Sequence, residues 1–180
     1  WTGCGWIKDQ STFADLDGDG RMDYVTVNTT GFHCVSLSRG DRYETSTWTG
    51  HGIHNGWRTT GISPTRVKFA DFNGDGKADY ISVDAAGNHY ISLSTGYGYR
   101  NEIWSGYGCP DAYCAVADFN GDGKADVYHN PWNRGFPDID ASYISFSTGS
   151  GYVKQQWTGH SGGAFIFTPD VNGDGKADFA

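Results

Sequence analysis

The sequence predicts an all-β fold made of tandem units, and three observations support this. A Trp-Thr/Ser-Gly tripeptide recurs at Trp1, Trp48, Trp104 and Trp157, so the chain repeats with periods of 47, 56 and 53 residues. Short runs of β-branched and aromatic residues are bounded by turns that contain glycine, which is typical of strands. The 180 residues include 27 glycines and show no apolar i, i+3, i+4 periodicity, so helix is nearly excluded.

Each unit follows the same order of elements. We treat residues 1–180 as one domain whose units start near residues 1, 48, 104 and 157, the last of them incomplete. After the tripeptide come a variable stretch, an aspartate-rich loop, and a strand such as Asp79–Val83. A turn leads to a second strand such as His89–Ser94, and a third, such as Tyr43–Trp48, ends at the next tripeptide. Several short antiparallel strands per unit of about 50 residues predict β-propeller blades.

The aspartate-rich loop occurs four times, beginning at Asp15, Asp71, Asp118 and Asp170, with the consensus Asp-x-Asp/Asn-Gly-Asp-Gly-x-x-Asp. Its oxygen-bearing side chains at positions 1, 3, 5 and 9 would repel one another unless a hard cation lay among them. Glycines at positions 4 and 6 let the backbone curl so that the carbonyl of position 7 also points inward. Calcium, which accepts roughly six to eight oxygens in flexible geometry, is the expected ion, and the stricter magnesium ranks second.

The candidate metal ligands are therefore positions 1, 3, 5, 7 and 9 of each loop, and we expect about four Ca²⁺ ions, one per loop. They are Asp15, Asp17, Asp19, Arg21 and Asp23; Asp71, Asn73, Asp75, Lys77 and Asp79; Asp118, Asn120, Asp122, Lys124 and Asp126; and Asp170, Asn172, Asp174, Lys176 and Asp178. An EF-hand is excluded because position 12 is never glutamate and the flanking segments are strand-like rather than helical.

The loop and its strand-rich spacers resemble the FG-GAP or VCBS repeat family, the calcium-looped β-propellers that also occur in integrin α-chain heads and some fungal lectins. The resemblance covers almost the whole chain and implies blades with calcium bound in a loop that joins two strands. Thrombospondin-type calcium repeats share the loop but lack the spacers. The resemblance does not imply one function, because the fold serves adhesion, sugar binding and enzyme accessory roles.

The number of repeats departs from that family, whose propellers usually have seven blades. Three full units and a partial fourth that stops at Ala180 would leave an unpaired sheet edge, which is an aggregation liability unless something covers it. We therefore expect a homodimer that completes a seven-bladed ring, or association with the rest of a longer propeller, rather than a closed monomer.

The charge of the chain is mainly a property of its loops. Thirteen of the 21 acidic residues are loop aspartates, and four divalent ions would bring the formal net charge from −8 to zero. The sequence contains no basic patch, so nucleic acid is not an expected partner. No stretch approaches the length of a transmembrane helix, so we expect no membrane span.

Cysteine content and the N-terminal residue favour a secreted, extracellular protein. Four cysteines fit an oxidising compartment and allow three connectivities, of which we favour Cys109–Cys114, around Pro110, with Cys4–Cys34. Trp1 in place of an initiator methionine fits removal of a signal peptide. Aspartate-rich loops of modest affinity also need the millimolar calcium found outside cells.

The candidate ligand-binding residues are non-repeated aromatics and one arginine: Trp6, Trp57, Tyr107, Trp132 and Arg134. The last two lie in an insertion at residues 130–138, where the other units have a tight turn, and such loops often carry function. Exposed aromatic faces stack on sugars, although each of these side chains could equally be a partly buried edge residue. Arg39-Gly40-Asp41 spells an integrin-binding tripeptide, but it aligns with plain turns in the other units, so we interpret it as a turn.

Three functions are consistent with these features. The first is a secreted, calcium-stabilised binding module that recognises a carbohydrate or an extracellular protein without turnover. The second is an accessory or catalytic propeller of a secreted polysaccharide- or cell-wall-active enzyme, and the third is a structural repeat segment of a large surface protein or toxin. We prefer the first to the second because the aspartates recur whereas an active site is normally unique, and because Glu44 and Glu102 are the only glutamates. We assign no catalytic residue.

Overall fold

The structure, a computed structural model, describes residues 4, 11–27, 32–50, 68–83, 88–105, 114–129, 142–157 and 170–178. These residues contain strands and no helix, so nothing in this part of the chain could cross a membrane as a helix. The strands are β1 Ser11–Ala14, β2 Asp23–Val27, β3 Phe32–Ser38, β4 Tyr43–Thr49, β5 Lys68–Ala70, β6 Asp79–Val83, β7 Asn88–Ser94, β8 Tyr99–Ser105, β9 Cys114–Ala117, β10 Asp126–His129, β11 Ser142–Ser147 and β12 Tyr152–Trp157.

The strands form three antiparallel sheets of four strands, each in sequential order: β1 to β4, β5 to β8, and β9 to β12. Each sheet is one repeat unit, so the prediction of an all-β fold built from repeated groups of antiparallel strands is confirmed. Within a sheet, the third and fourth strands form the longest hairpin, as in β3 and β4, where Phe32 pairs with Thr49 and Ser38 with Tyr43. The second, third and fourth strands of each sheet are the strands that the sequence predicted.

The first strand of each sheet was not predicted. The strands β1, β5 and β9 are three or four residues long, and each ends in an alanine immediately before the first aspartate of a loop. Each pairs with the strand that follows the loop, so that Ala14 lies opposite Asp23 and Ala70 opposite Asp79. The loop is therefore the connection between the first two strands of its sheet.

The core is shared between neighbouring sheets. In the first sheet, apolar side chains such as Val25, Val27 and Val35 are fully buried, and Tyr80 of the second sheet belongs to the same cluster. Trp48 packs edge-on against Tyr99 of the second sheet, with ring centroids 5.0 Å apart. The second and third sheets repeat this contact through Trp104 and Tyr152 at 5.1 Å. The tryptophans at these two unit boundaries are thus packing residues between sheets.

One of the two favoured disulfides lies within the described residues. Cys4 is bonded to Cys34 of β3, with their Cα atoms 5.7 Å apart, so the segment before β1 is tied to the middle of the first sheet. This confirms the Cys4–Cys34 pairing. The predicted Cys109–Cys114 pairing lies outside the described residues, because Cys109 and the side chain of Cys114 are not among them.

Candidate metal loops

The carboxylate at position 1 organises each loop. In the second loop, Asp71 Oδ1 accepts hydrogen bonds from the amides of Gly74 (2.6 Å) and Asp75 (3.1 Å), and Oδ2 accepts one from Gly76 (2.8 Å). The loops beginning at Asp15, Asp118 and Asp170 repeat the three bonds. One side chain thereby holds the backbone of positions 4 to 6 in a curl.

The glycines at positions 4 and 6 make that curl possible. Their φ angles lie between 77° and 85° in all four loops, in the left-handed region that favours glycine. Positions 3 and 5 then form successive Asx turns, as Asn73 Oδ1 accepts from the Asp75 amide (2.9 Å) and Asp75 Oδ1 from the Lys77 amide (2.9 Å). The side-chain oxygens of positions 1, 3 and 5 are therefore gathered on one short stretch of backbone.

In the first three loops, position 9 is a buried aspartate that fastens the loop to the rest of its sheet. Asp79 has no exposed surface, and it accepts hydrogen bonds from the amide of Phe72 through Oδ2 (2.9 Å) and from that of Ser94 through Oδ1 (2.7 Å). Asp23 and Asp126 make the same pair of bonds in the first and third sheets. Burial raises the pKa of Asp79 to about 7 and that of Asp126 to about 6, against the lowering effect of the two amide donors.

The oxygens of the first loop lie close enough together to hold a metal ion. One oxygen from each of Asp15, Asp17 and Asp19 lies within 4.8 Å of the others, and this is the only such group of three acidic, histidine or cysteine side chains in the described part of the chain. Asp23 is not in the group. In the other loops position 3 is asparagine, whose amide oxygen is an equally hard donor. A donor set made only of carboxylate, amide and carbonyl oxygens fits calcium.

Basic side chains lie beside these oxygens. Lys77 Nζ is 3.2 Å from Asp75 Oδ2, and Lys124 Nζ is 3.1 Å from Asp122 Oδ2, so the position-7 side chain offsets the charge of position 5. In the first loop Arg21 plays that part, with Nη2 2.7 Å from Asp19 Oδ2. The position-7 side chain thus pairs with position 5 on the loop surface, and the position-7 carbonyl as a ligand stays a prediction.

Neighbouring loops are bonded to one another. The position-8 amide of each later loop donates to the position-1 carbonyl of the loop before it: Ala78 to Asp15, Ala125 to Asp71 and Ala177 to Asp118, each at 2.7 Å. The position-7 stem also lies over the position-4 glycine of the preceding loop, since a Cβ on Gly18 would be 3.1 Å from Lys77 Cγ.

The serine that ends the third strand completes this contact between units. Ser94 Oγ donates to the carbonyl of Leu16 and Ser147 Oγ to that of Phe72, each at 2.5 Å. Sequence reasoning did not identify these serines or the position-8 alanines as contact residues. Their recurrence in the sequence could have identified them. Serine ends the third strand of all three sheets, and Lys-Ala occupies positions 7 and 8 of the second, third and fourth loops.

The predicted ligand-binding residues are not brought together by anything the structure describes. Trp6, Trp57, Tyr107, Trp132 and Arg134, with the insertion at 130–138, all lie outside the described residues. The integrin-type tripeptide is a turn, as expected, since the Arg39 amide donates to the Arg42 carbonyl at 2.8 Å.

Comparison with known proteins identifies a solved structure with a similar fold and a repeat family that matches the sequence of these loops. Among solved structures, a chain of "Crystal Structure of TcdB2-TccC3-Cdc42" aligns with 84% of this chain at a TM-score of 0.58 and 22% identity, which shows a shared fold. The aligned part is 7% of that chain, so this protein corresponds to a small piece of it. No curated protein matches the chain. The FG-GAP-like repeat pattern matches residues 15–82 and 71–129, so that two overlapping repeats cover more than half of the sequence. The chain therefore belongs to the FG-GAP-like repeat family.

Proposed function

We propose that this chain is a calcium-stabilised repeat segment of a secreted or surface-exposed protein, in which the four loops bind calcium and hold successive β-propeller blades together. The observation that carries the proposal is the bonding between loops: two of the proposed ligand positions also contact a neighbouring unit, because the position-1 carbonyl accepts a hydrogen bond from the next loop and the position-7 side chain lies over a glycine of the preceding loop. An ion in a loop would therefore stabilise both its own sheet and the contact with its neighbour.

The proposed ligands are the side-chain oxygens at positions 1, 3 and 5 and the backbone carbonyl at position 7. The carboxylate at position 9 can contribute as well, because each oxygen of an ionised carboxylate has about two lone pairs and the observed amide bonds use one on each. Its burial also suits this role, since a cation nearby favours the ionised form that burial disfavours.

Two further observations support an extracellular setting and a structural role. The Cys4–Cys34 disulfide is of the kind that persists in oxidising compartments. FG-GAP repeats are typical of extracellular proteins, and the similar solved structure matches over a small part of a very long chain. A scaffold segment within a large protein fits this best. Recognition of a glycan or a protein, through Trp132 and Arg134 among others, stays a prediction, because those residues lie outside the described structure.

A calcium titration of the 180-residue chain tests the proposal. We expect about four sites by isothermal titration calorimetry, preference for calcium over magnesium, and a lower melting temperature in excess EGTA. A ligand that binds only the folded state adds about 2.7 kcal/mol of stability per site at a hundredfold excess over its dissociation constant.

Asp71→Asn should remove one site, because it takes the charge from position 1 of the second loop. Asp41→Asn removes the same charge from an exposed turn aspartate outside the loops, and it should leave the stoichiometry unchanged. Failure to bind calcium at millimolar concentration, with a melting temperature that EGTA does not change, would refute the proposal.

A further inference from the structure

The first loop differs from the other three at position 3 and in the turn that faces it. Position 3 is Asp17, where the other loops have Asn73, Asn120 and Asn172. The residue that follows the third strand is Arg39, where the second and third sheets have Thr95 and Thr148. The first unit therefore carries one carboxylate and one cation that the second and third units lack at the matching positions.

The two additional groups are in contact. Arg39 Nη1 lies 2.5 Å from Asp17 Oδ2 and 3.8 Å from Asp19 Oδ2, so the guanidinium reaches the oxygens of positions 3 and 5. Its Nε donates to Glu44 Oε2 at 2.9 Å, which anchors the side chain from the other side. The Asp17 side chain is only 11% exposed, so water and salt screen this pair less than an open surface pair.

The other units show what the turn does without an arginine. Thr95 Oγ1 donates to the Gly98 carbonyl at 3.1 Å and Thr148 Oγ1 to the Gly151 carbonyl at 3.2 Å, so these hydroxyls close their own turns and do not reach the loops. The negative charge of Asp17 and the positive charge of Arg39 cancel, so the net charge of the first loop equals that of the second. The first loop with Arg21 and Arg39, and the second with Lys77, both carry a formal charge of −2.

We propose that Arg39 is a built-in cation of the first loop that competes with calcium there, so that this loop binds calcium more weakly than the second and third loops. The inference rests on the proposed function and concerns the regulation of one of its sites. Asp17 Oδ2 can face either the guanidinium or a bound ion, and the ion must displace a charge-assisted hydrogen bond to use it. Without calcium, the extra carboxylate of the first loop is thus already paired with Arg39, whereas the asparagine at position 3 of the other loops has no cation to displace.

Nuclear magnetic resonance can follow each loop separately through its position-6 glycine. We expect the Gly20 amide of a ¹⁵N-labelled chain to respond at higher calcium concentration than those of Gly76 and Gly123. Arg39→Thr, which installs the residue of the other units, should lower the Gly20 midpoint about tenfold, the equivalent of losing one charge-assisted hydrogen bond. The Gly76 and Gly123 midpoints should not move.

Two variants make the test specific. Arg42→Thr removes the same charge from the same turn, but Arg42 contacts Asp41 and Glu44 rather than the loop, so the Gly20 midpoint should stay at its wild-type value. Arg39→Lys keeps the charge without the planar fork and should give an intermediate midpoint. An unchanged Gly20 midpoint in Arg39→Thr, or an equal shift in Arg42→Thr, would overturn the inference while Gly76 and Gly123 still report calcium. If none of the glycines responds, the proposed function fails with it.

Discussion

At the scale of single residues, the position-9 aspartate shows how one buried carboxylate can join distant parts of a unit. Asp79 accepts amide protons from Phe72 inside the loop and from Ser94 at the end of the third strand. Because both donors are backbone amides, neither can be replaced by a change of side chain. The aspartate is therefore needed for the fold itself, whatever it contributes to an ion.

Asp79→Asn should destabilise the chain even in EGTA. One carboxylate oxygen becomes an NH₂ group that faces an amide donor, leaving a buried donor unsatisfied at a cost of about 1–3 kcal/mol. Urea denaturation measures the loss. Asp75→Asn is the matched control, because position 5 is partly exposed and asparagine can still accept the Lys77 amide proton. Equal losses in the two variants would contradict the role of position 9.

His33 makes a second prediction at this scale. Its side chain is fully buried between the first two sheets, where Nδ1 lies 3.0 Å from the Tyr99 hydroxyl, and burial lowers its pKa to about 4. The pKa in the folded state is below the ordinary value of about 6.5, so the imidazole is neutral in the fold and takes up a proton on unfolding. The contribution of His33 to stability is thus fully present above pH ~6.5 and is lost as the pH drops towards 4, by on the order of 3 kcal/mol.

The pH dependence of unfolding in urea, measured from pH 7 to 4.5, tests this. His33→Phe should flatten the profile relative to the wild type. The difference between the two profiles cancels the contributions of Asp79 and Asp126, whose raised pKa values give a slope of opposite sign. Parallel profiles would show that His33 does not titrate with unfolding.

At the scale of the elements, the loop is a connection between two strands whose shape depends on its glycines. Gly76 has a φ of 82° and no atom within 4 Å of where a Cβ would lie, so any cost of Gly76→Ala comes from the backbone alone. We expect a loss of about 1–2 kcal/mol by thermal or urea unfolding. Gly98→Ala, at an equally open position without a positive φ, should be neutral or slightly stabilising. A comparable loss there would contradict the backbone argument.

The sequence could predict features whose residues lie close together in the chain, but not contacts between residues that are far apart in it. The third strand of each sheet is six or seven residues long and ends in an apolar-Ser-apolar-Ser alternation, as in β3, and was recognised. The strand before each loop is only three or four residues long, too short for a period of two to stand out. The oxygen donors at positions 1, 3 and 5 are local to the loop. The bond from Ser94 to Asp79 spans 15 residues, and Arg39 lies 22 residues from Asp17, so neither could be read from the loop motif.

At the scale of the whole molecule, the three sheets depend on one another through apolar packing and through the loops. The aromatic contacts Trp48–Tyr99 and Trp104–Tyr152 place a side chain of each later sheet against the core of the sheet before it. At the loops, too, the later unit supplies the contact: its serine hydroxyl and its position-8 amide donate hydrogen bonds to carbonyls of the unit before it. In arrays of this kind, stability is approximately a sum of the units and their nearest-neighbour contacts.

The bonds between loops also give the array a polarity. Each of the amides of Ala78, Ala125 and Ala177 caps a carbonyl of the loop before it, so a loop is completed by the one that follows it in sequence. Opening of a later loop takes the donor from a carbonyl of the earlier loop, and opening of an earlier loop takes the acceptor from an amide of the later loop. Proteolytic nicking or loss of an ion in one loop should therefore loosen both neighbouring loops, in chemically different ways: the loop before it is left with an uncapped carbonyl and the loop after it with an unpaired amide.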